Sequence, residues 1–228
     1  MLNFQQNGDF MKRFFAVLKR CALFREIREE DYGPLLSCFG AEPWHYDKGE
    51  TILGEGDPAE YVGIVLSGMV QVIRVDYYGN RSIMAKLGPG GIFAEAFACA
   101  GVPTMPVSVV AAEDTEILLL QAQRIIHSCG QACHFHNQMI YNLLQVVAAK
   151  NLACNQKIEI MSKRTTREKL MAYLLLEAKR KGSSFSIPYD RQELADYLEV
   201  DRSGLSAEIS KLRKEGVLLC RKNEFTLL

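Results

Sequence analysis

The sequence predicts an α+β protein in which a double-stranded β-helix, or jelly roll, is followed by a long dimerisation helix and a C-terminal winged helix-turn-helix. Short β-type runs separated by glycines between Trp44 and Leu120 predict the roll, because this strand spacing is typical of jelly rolls and barrels. A stretch without proline or glycine from Gln131 to Ile160 predicts the long helix. A helix, turn and helix pattern from Asp190 to Leu218 predicts the third part. The expected domains are residues 1–130, 131–160 and 161–228.

The composition of the 228 residues indicates a globular protein of the cytoplasm. Hydrophobic residues make up 48% of the chain. No apolar run approaches the roughly 20 residues that span a bilayer, so no membrane partner is expected. The first residues, MLNFQQNGDFMKRFF, lack the basic and then apolar order of a secretion signal. The seven cysteines are odd in number and irregularly spaced, which favours reduced thiols over a disulfide framework.

The charge is balanced overall but divided unevenly along the chain. Residues 1–160 carry 13 Lys and Arg against 17 Asp and Glu, whereas residues 161–228 carry 14 against 10. A basic C-terminal part indicates a partner that is anionic.

Helical periodicity predicts a helix on each side of the roll. The first runs from Phe10 to about Ile27, and the second, from Gln131 to Ile160, would be about 45 Å long. A helix of that length with an apolar stripe usually needs a partner helix, and a second copy of the chain is the simplest partner. The residues predicted at this dimer interface are Met139, Leu143, Val146, Val147, Lys150 and Cys154. The alternative is that the stripe packs on the roll of its own chain.

The pattern from Asp190 to Leu218 has the local signals of two consecutive short helices. Asp190 followed by Glu193 forms a capping box, so a helix begins there. Asp201 caps a second helix, which Gly216 ends. The helical spacing of Leu205, Ile209 and Leu212 predicts that these three side chains point inward.

The other side of the second helix carries side chains suited to DNA. Short hydroxyls allow a helix to enter the major groove deeply, and an arginine offers two donors to guanine. The segment VLLCRKNEFTLL predicts a two-stranded wing with its turn at Lys222 and Asn223, which places basic residues near phosphates. The predicted contacts are Arg202, Ser203, Ser206, Ser210, Lys211, Arg221 and Lys222. The alternative is a helical hairpin within a structural bundle.

The chain resembles the Crp/Fnr regulators over roughly residues 10–228. Lys48–Ile73 is similar to the start of that family's cyclic-nucleotide-binding-type roll, Leu87–Ala111 to its phosphate-binding cassette, and Arg191–Leu218 to its helix-turn-helix. The resemblance implies a non-enzymatic homodimer that binds palindromic double-stranded DNA and regulates transcription, with RNA polymerase as a further partner. It also implies that Arg202, Ser203 and Ser206 read bases and that Gln192 contacts the DNA backbone.

Three residues of the helix-turn-helix depart from the family pattern. Glu199 stands where the turn usually has glycine, and Glu208 stands at a usually apolar inner position. Ala207 stands where many members have an arginine that reads a base. The operator therefore cannot be copied from another member.

The cassette departs from that of the cyclic-nucleotide binders. In those binders an arginine followed by serine or threonine neutralises the cyclic phosphate, whereas Met105 and Pro106 stand at the matching positions here. No Lys or Arg occurs between Lys86 and Arg124, and a buried phosphate needs a cation or a cluster of backbone donors. The sequence predicts that this protein does not bind cyclic AMP well.

The residue types in the cassette leave the nature of the signal open. An apolar pocket for an unidentified, uncharged small-molecule effector is one hypothesis. The alternative is that these side chains fill the roll as core and that the regulator is independent of an effector. The predicted pocket residues are Phe93, Glu95, Phe97, Cys99 and Met105.

A second hypothesis for sensing involves the segment between the roll and the long helix. Cys129, Cys133 and His136 lie on one helical side, so they could bind a metal or form a redox pair. Two cysteines and one histidine on one helix rarely complete a tetrahedral site, so no metal or cofactor is predicted and ordinary thiols are favoured. A cupin-type enzyme is disfavoured because the strand region contains one histidine, His45.

Overall fold

The structure is a computed structural model that describes residues 13–127 and 134–228. Its internal contacts divide the chain into two compact units. The first, called the roll unit, comprises the chain up to Ile73 together with Ala85–Lys150. The second, called the reading unit, comprises Arg74–Met84 and Asn151–Leu228. None of the described helices is long and apolar enough to cross a membrane.

Antiparallel strands form the centre of the roll unit. They pair in two sheets with the orders β1-β8-β3-β6 and β2-β7-β4-β5, a β-sandwich of the jelly-roll type. The strands are β1 (Glu42–Tyr46), β2 (Thr51–Leu53), β3 (Tyr61–Ser67), β4 (Val70–Val75), β5 (Arg81–Leu87), β6 (Ile92–Phe93), β7 (Ser108–Ala111) and β8 (Thr115–Gln121). The end of β4 and the start of β5 lie in the segment Arg74–Met84, which is grouped with the reading unit.

The alternation of side chains along β3 and β8 creates two separate cores. Successive residues of a strand point to opposite faces, so Ile64 and Leu118 enter one core while Val65 and Ile117 enter the other. The inner core lies within the roll and also contains Val70, Phe93, Met105 and Val109. The outer core lies under the helices and also contains Leu18, Phe24, Leu35 and Met139. Both faces of these strands are therefore buried, which explains their continuous apolar sequences.

The contact between Gly63 and Phe93 fills the inner core where β3 meets β6. The two residues are paired across the strands, and a Cβ atom built on Gly63 would lie 2.1 Å from the Phe93 ring. Glycine is therefore required at this position because the aromatic ring occupies the space of a side chain.

Helices cover the outer side of the roll. They are α1 (Phe15–Leu18), α2 (Tyr32–Cys38), α3 (Glu95–Ala100), α4 (Ala122–Ile126) and α5 (His134–Met161), with 3-10 turns at Ala22–Phe24 and Glu29–Asp31. The prediction of one helix from Phe10 to Ile27 is wrong over its described part. The backbone becomes extended at Cys21, and the turn that follows buries Leu23 and Phe24 in the outer core. Residues 10–12 lie outside the described residues.

The reading unit contains a winged helix-turn-helix. Its elements are α6 (Thr166–Lys181), β9 (Ser184–Ser186), α7 (Arg191–Leu198), α8 (Arg202–Lys214), β10 (Leu218–Arg221) and β11 (Glu224–Leu227). The sheet order is β10-β11-β9, so the predicted two-stranded wing gains a third strand. The wing turns at Lys222 and Asn223, as predicted. Roll, long helix and winged helix-turn-helix together confirm the predicted fold class.

Candidate DNA-binding interface and sensor site

Local side-chain bonds fix where the two short helices of the reading unit begin and end. The Asp190 carboxylate accepts from the Glu193 amide, and the Glu193 carboxylate accepts from the Asp190 amide, so the predicted capping box is present. Asp201 caps α8 by accepting from the Gly204 amide at 2.7 Å. The chain leaves α8 through Gly216 at φ +72°, a left-handed conformation that glycine adopts easily.

The turn between α7 and α8 is left-handed at the residue where the family usually has glycine. Glu199 has φ +51°, so a residue with a Cβ atom is held in a conformation that glycine prefers. The Lys169 ammonium lies 3.3 Å from the Leu198 carbonyl oxygen and 3.4 Å from that of Glu199. A cation thus satisfies carbonyls at the end of α7, where the helix dipole also favours positive charge.

The inner and outer sides of α8 are divided as the sequence predicts. Leu205, Ile209 and Leu212 are buried, and α8 contacts α7. On the other side, Arg202, Ser203, Ser210 and Lys211 are exposed and Ser206 is half-buried. Gln192 on α7 is exposed and donates to Asp196 at 2.7 Å. The reading unit therefore presents every predicted base-reading side chain at least partly to solvent.

Several of these polar groups already bond within α8. The Ser203 hydroxyl donates to Asp201, and the Ser210 hydroxyl donates to the Ser206 carbonyl at 3.0 Å. Lys211 lies 2.7 Å from the half-buried carboxylate of Glu208. Glu208, at a usually apolar inner position, therefore lies at the edge of the helix with its charge paired. DNA binding would exchange these short-range bonds for contacts with bases and phosphates.

The wing presents two exposed basic residues, Arg221 and Lys222, at its turn. Arg191, at the start of α7, donates to the Lys222 carbonyl and to the Cys220 sulfur, each at 3.4 Å. Arg191 thus links the wing turn to α7, a positioning role that the sequence analysis missed. The signal available was a cation in the first turn of a helix, where the dipole disfavours positive charge.

A tyrosine cluster in the reading unit was also missed. Tyr173, Tyr189 and Tyr197 have ring centroids 4.8–6.4 Å apart, and burial raises the pKa of Tyr173 and Tyr189. The Lys157 ammonium lies 4.3 Å from the centre of the Tyr197 ring and donates to the Ile83 carbonyl at 2.7 Å. Burial lowers the pKa of Lys157, so an aromatic face and a carbonyl stabilise a partly desolvated cation.

Most of the side chains predicted to line an effector pocket pack in the two cores. Phe93 and Met105 are 1% exposed and belong to the inner core, with Phe97 packed at its edge. Cys99 packs instead against the outer core, because α3 contributes to both cores. Ala94, just before α3, has φ +63°, in the left-handed region. Phe93 and Met105 thus pack in one core and Cys99 against the other, as the alternative that these side chains fill the roll expects, and the effector pocket stays a prediction.

The fifth predicted pocket residue, Glu95, is held by an ion pair. Its side chain is only 3% exposed, and the Lys150 ammonium lies 2.8 Å from its Oε2 atom. Lys150 also donates to the Ile92 carbonyl. The sequence analysis predicted Lys150 at a dimer interface; its ammonium bonds within its own roll unit, and the interface role stays a prediction.

The stripe predicted at the dimer interface packs on the roll of the same chain. Met139, Leu143 and Val146 are at most 6% exposed in the outer core, and Val147 packs against it. Met139, Leu143 and Val146 are thus enclosed by their own roll unit, which favours the alternative that the stripe packs on its own roll; the contact with a partner stays a prediction. Cys154 is exposed. The exposed apolar residues of α5 are instead Tyr141, Leu144, Leu152 and Ile158.

His136 is a buried structural histidine. Its ring is 2% exposed and lies edge-on to Phe39, and its Nε2 donates to the Ile125 carbonyl at 2.9 Å. That bond uses one of its two possible metal-binding nitrogens. Cys129 and Cys133 lie outside the described residues. Within residues 13–127 and 134–228, no group of His, Cys, Asp and Glu side chains could hold a metal ion.

Comparison with known proteins gives the same order of parts. Residues 43–131 match the cyclic nucleotide-binding domain family, and residues 168–228 match the Crp-like helix-turn-helix domain family. The chain is 28% identical to the cyclic AMP receptor protein of Thermus thermophilus, over 88% of this chain and 89% of that protein. It is 22% identical to the transcriptional activator protein FnrL of Cereibacter sphaeroides, over 76% of this chain and 71% of that protein.

A solved structure supports the same assignment. FixK2 from Bradyrhizobium japonicum superposes with a TM-score of 0.64 at 25% identity, covering 82% of this chain and 92% of that one. Two family matches in the expected order, relatives matched over most of their length and the shared fold lead to one conclusion. The chain belongs to the Crp/Fnr family of transcription regulators.

Proposed function

We propose that this regulator binds a palindromic DNA site as a homodimer and places α8 in the major groove. The observation that carries the proposal is the two-sided character of α8. Its apolar side is buried against the reading unit, while Arg202, Ser203 and Ser210 are exposed just after the Asp201 cap. Arg202 would read a base, and the exposed Arg221 and Lys222 of the wing would bind phosphates.

A second copy of the chain is the proposed partner of α5. Tyr141, Leu144 and Ile158 are each more than half exposed, as is Leu152. Their spacing places them on the side of the helix opposite Met139 and Leu143, with Ala148 between them, as in a two-helix seam. A symmetric pair of such helices would bury this apolar surface and set two copies of α8 on two half-sites.

Cyclic AMP is not the expected effector. Met105 is buried in the inner core at the position where a cyclic-nucleotide binder has its phosphate-binding arginine. Among the described residues, the ammonium that bonds to the cassette is that of Lys150, and its charge is already paired with Glu95.

Selection from random duplexes tests the DNA-binding proposal. The purified chain at moderate salt should enrich a two-fold palindrome whose half-sites are about one helical turn apart. Arg202→Ala should weaken binding to that palindrome by about 10- to 100-fold and relax the preference at one base position. Lys222→Ala should weaken binding to all duplexes alike, and Lys179→Ala, an exposed cation of α6, should leave affinity unchanged. An Arg202→Ala variant with the selectivity of the natural chain would refute the proposal.

Sedimentation tests the dimer interface separately. Leu144→Lys should convert a concentration-dependent dimer into a monomer, because an ammonium would be buried in the seam. Ala149→Lys is the matched control, since Ala149 is exposed on another side of α5. If both variants remain dimeric, the seam lies elsewhere.

A further inference from the structure

The starting observation is a buried carboxylate that must have a partner. Glu95 is the first residue of α3, and its side chain is 3% exposed. A charged carboxylate removed from water is costly unless it is paired and hydrogen-bonded. The only cation bonded to it among the described residues comes from α5, 55 positions later in the sequence.

The partner, Lys150, bonds to two points of the cassette at once. Its ammonium lies 2.8 Å from Glu95 Oε2 and also donates to the Ile92 carbonyl. The Lys150 side chain as a whole is 38% exposed. A single side chain of α5 is thereby tied to β6 and to α3. The bonds on the ammonium are the kind that a bound ligand could otherwise have made between the cassette and the helix.

The interior of the roll is filled by the protein itself. The Phe93 ring occupies the space above Gly63, and Met105 is 1% exposed in the same inner core. No space is left beside Gly63 for a ligand without displacing an aromatic ring. The charged and the apolar positions of the cassette are therefore both satisfied from within the chain.

We propose that the Lys150–Glu95 ion pair replaces an effector: it fixes α5 to the cassette, so the regulator binds its operator with no small molecule present. Lys150 is the last residue of the roll unit, and α5 continues from it to Met161 within the reading unit. A bond at this residue is thus placed to control where the helix leaves the roll. The inference rests on the proposed function. It assigns the DNA-binding competence of the chain to a contact within the chain and not to a bound ligand.

The two partners of the pair differ in what their removal leaves behind. Lys150→Met leaves the Glu95 carboxylate buried without a cation, whereas Glu95→Gln leaves an ammonium that is already partly exposed and can turn to water. The double variant Glu95→Gln, Lys150→Met leaves no buried charge. It should therefore fold as well as the natural chain while lacking the link between α5 and α3.

The experiment measures binding to the palindrome selected with the natural chain. The natural protein is unfolded in denaturant, dialysed and refolded, which removes any small molecule carried from the cell. The refolded natural chain should bind the palindrome with unchanged affinity. The double variant should bind it about tenfold more weakly, within the usual range of coupling between sites, while its thermal unfolding and its binding to an unrelated duplex stay as in the natural chain. Lys48→Met, an exposed lysine of the roll unit, is the control and should change neither property.

Each other outcome has a distinct meaning. If the refolded natural chain loses specific binding and a filtrate of small molecules restores it, an effector is required and the inference is wrong. If the double variant binds the palindrome like the natural chain, the ion pair is only structural and the inference is also wrong. If the protein selects no duplex even before refolding, or if Arg202→Ala is without effect, the proposed function itself fails and the inference falls with it.

Discussion

Glu95 of the roll unit and the helix-capping aspartates of the reading unit are held in opposite ways. In the roll unit, Glu95 is buried and paired with Lys150 from a distant part of the chain. In the reading unit, Asp190 and Asp201 are exposed and bond to amides three positions away. A buried group that is paired within its own chain is not available to a partner molecule, whereas an exposed group with local bonds can replace those bonds by contacts with a partner. The difference explains why we expect the reading unit to contact DNA and the roll unit to satisfy its buried charges within the chain.

The largest expected effect tests whether the roll interior is filled. Gly63→Ala would place a Cβ atom 2.1 Å from the Phe93 ring, so the strand or the ring must move. Overpacking of this kind should lower the free energy of unfolding by about 3 kcal/mol. Urea denaturation followed by the fluorescence of Trp44, the one tryptophan of the sequence, measures the change in the roll unit.

Two variants complete the Gly63 test. Adding Phe93→Leu to Gly63→Ala should recover part of the loss, because the smaller side chain yields the space. Gly204→Ala should leave the roll unit unchanged and slightly stabilise the reading unit, since Gly204 lies in α8 and the new methyl group would come no closer than 3.6 Å to Asp201. A Gly63→Ala protein as stable as the natural chain would mean that the interior retains free space for a ligand.

The elements of the reading unit could be predicted from the sequence because their signals are local. The capping box of Asp190, the inward spacing of Leu205, Ile209 and Leu212, and the wing turn at Lys222 each depend on residues a few positions apart. The same spacing argument predicts that α5 has a buried stripe. It does not say what buries the stripe, which is why Met139 was assigned to a partner and is found in the outer core.

The contacts that the sequence analysis missed join residues far apart in the chain. Lys150 bonds to Glu95, and Arg191 bonds to the backbone of Lys222, 31 positions away. No period or spacing signals such a pair. Lys150 looks like an ordinary surface cation, and the position of Arg191 in the first turn of a helix marks it as unusual without identifying its partner. The left-handed turn at Glu199 was visible only as a departure from the family pattern, and the backbone shows that the conformation is kept without the glycine; the left-handed conformation of Ala94 was not predicted.

These two left-handed residues allow the units to be compared directly. Glu199→Gly should stabilise the reading unit by about 1 kcal/mol, because an L side chain in this conformation costs that amount and Glu199 is exposed. Ala94→Gly relieves the same strain but also removes a methyl group from the inner core, so its gain should be smaller. Thermal unfolding of the two variants measures both changes. A larger gain at Ala94 than at Glu199 would contradict the tight packing of the cassette.

Acid should loosen α8 through its cap. The Ser203 hydroxyl and the Gly204 amide donate to Asp201 and lower the pKa of this carboxyl below its usual value of 3.8. A lowered pKa means that the contribution to stability is present above about pH 4 and is lost as the pH falls through the folded-state value. The protection of the Gly204 amide from hydrogen exchange, measured against its intrinsic rate at the same pH, should therefore fall below pH 4.

Asp201→Asn separates the charge from the cap. Asparagine caps helices nearly as well as aspartate but does not titrate. The Asp201→Asn variant should therefore keep the Gly204 amide protected from exchange, and this protection should no longer depend on pH. In Asp201→Ala the Gly204 amide should lose its protection at every pH. An acid dependence that survives in Asp201→Asn would assign the effect to another group, such as Glu168, whose cap bonds with Thr165 also lower its pKa.

The smallest expected effect concerns a solvent-exposed ion pair of the reading unit. Arg167 and Glu215 form a bidentate ion pair, but both side chains are more than 40% exposed. Water and salt screen such a pair, and ordering two long side chains offsets the attraction. A double-mutant cycle with Arg167→Ala and Glu215→Ala should therefore give a coupling much smaller than that of Lys150 with Glu95, and added salt should abolish it. An Arg167–Glu215 coupling that equals the buried one would remove the distinction between the two units, because burial would then no longer decide which ion pairs hold the molecule.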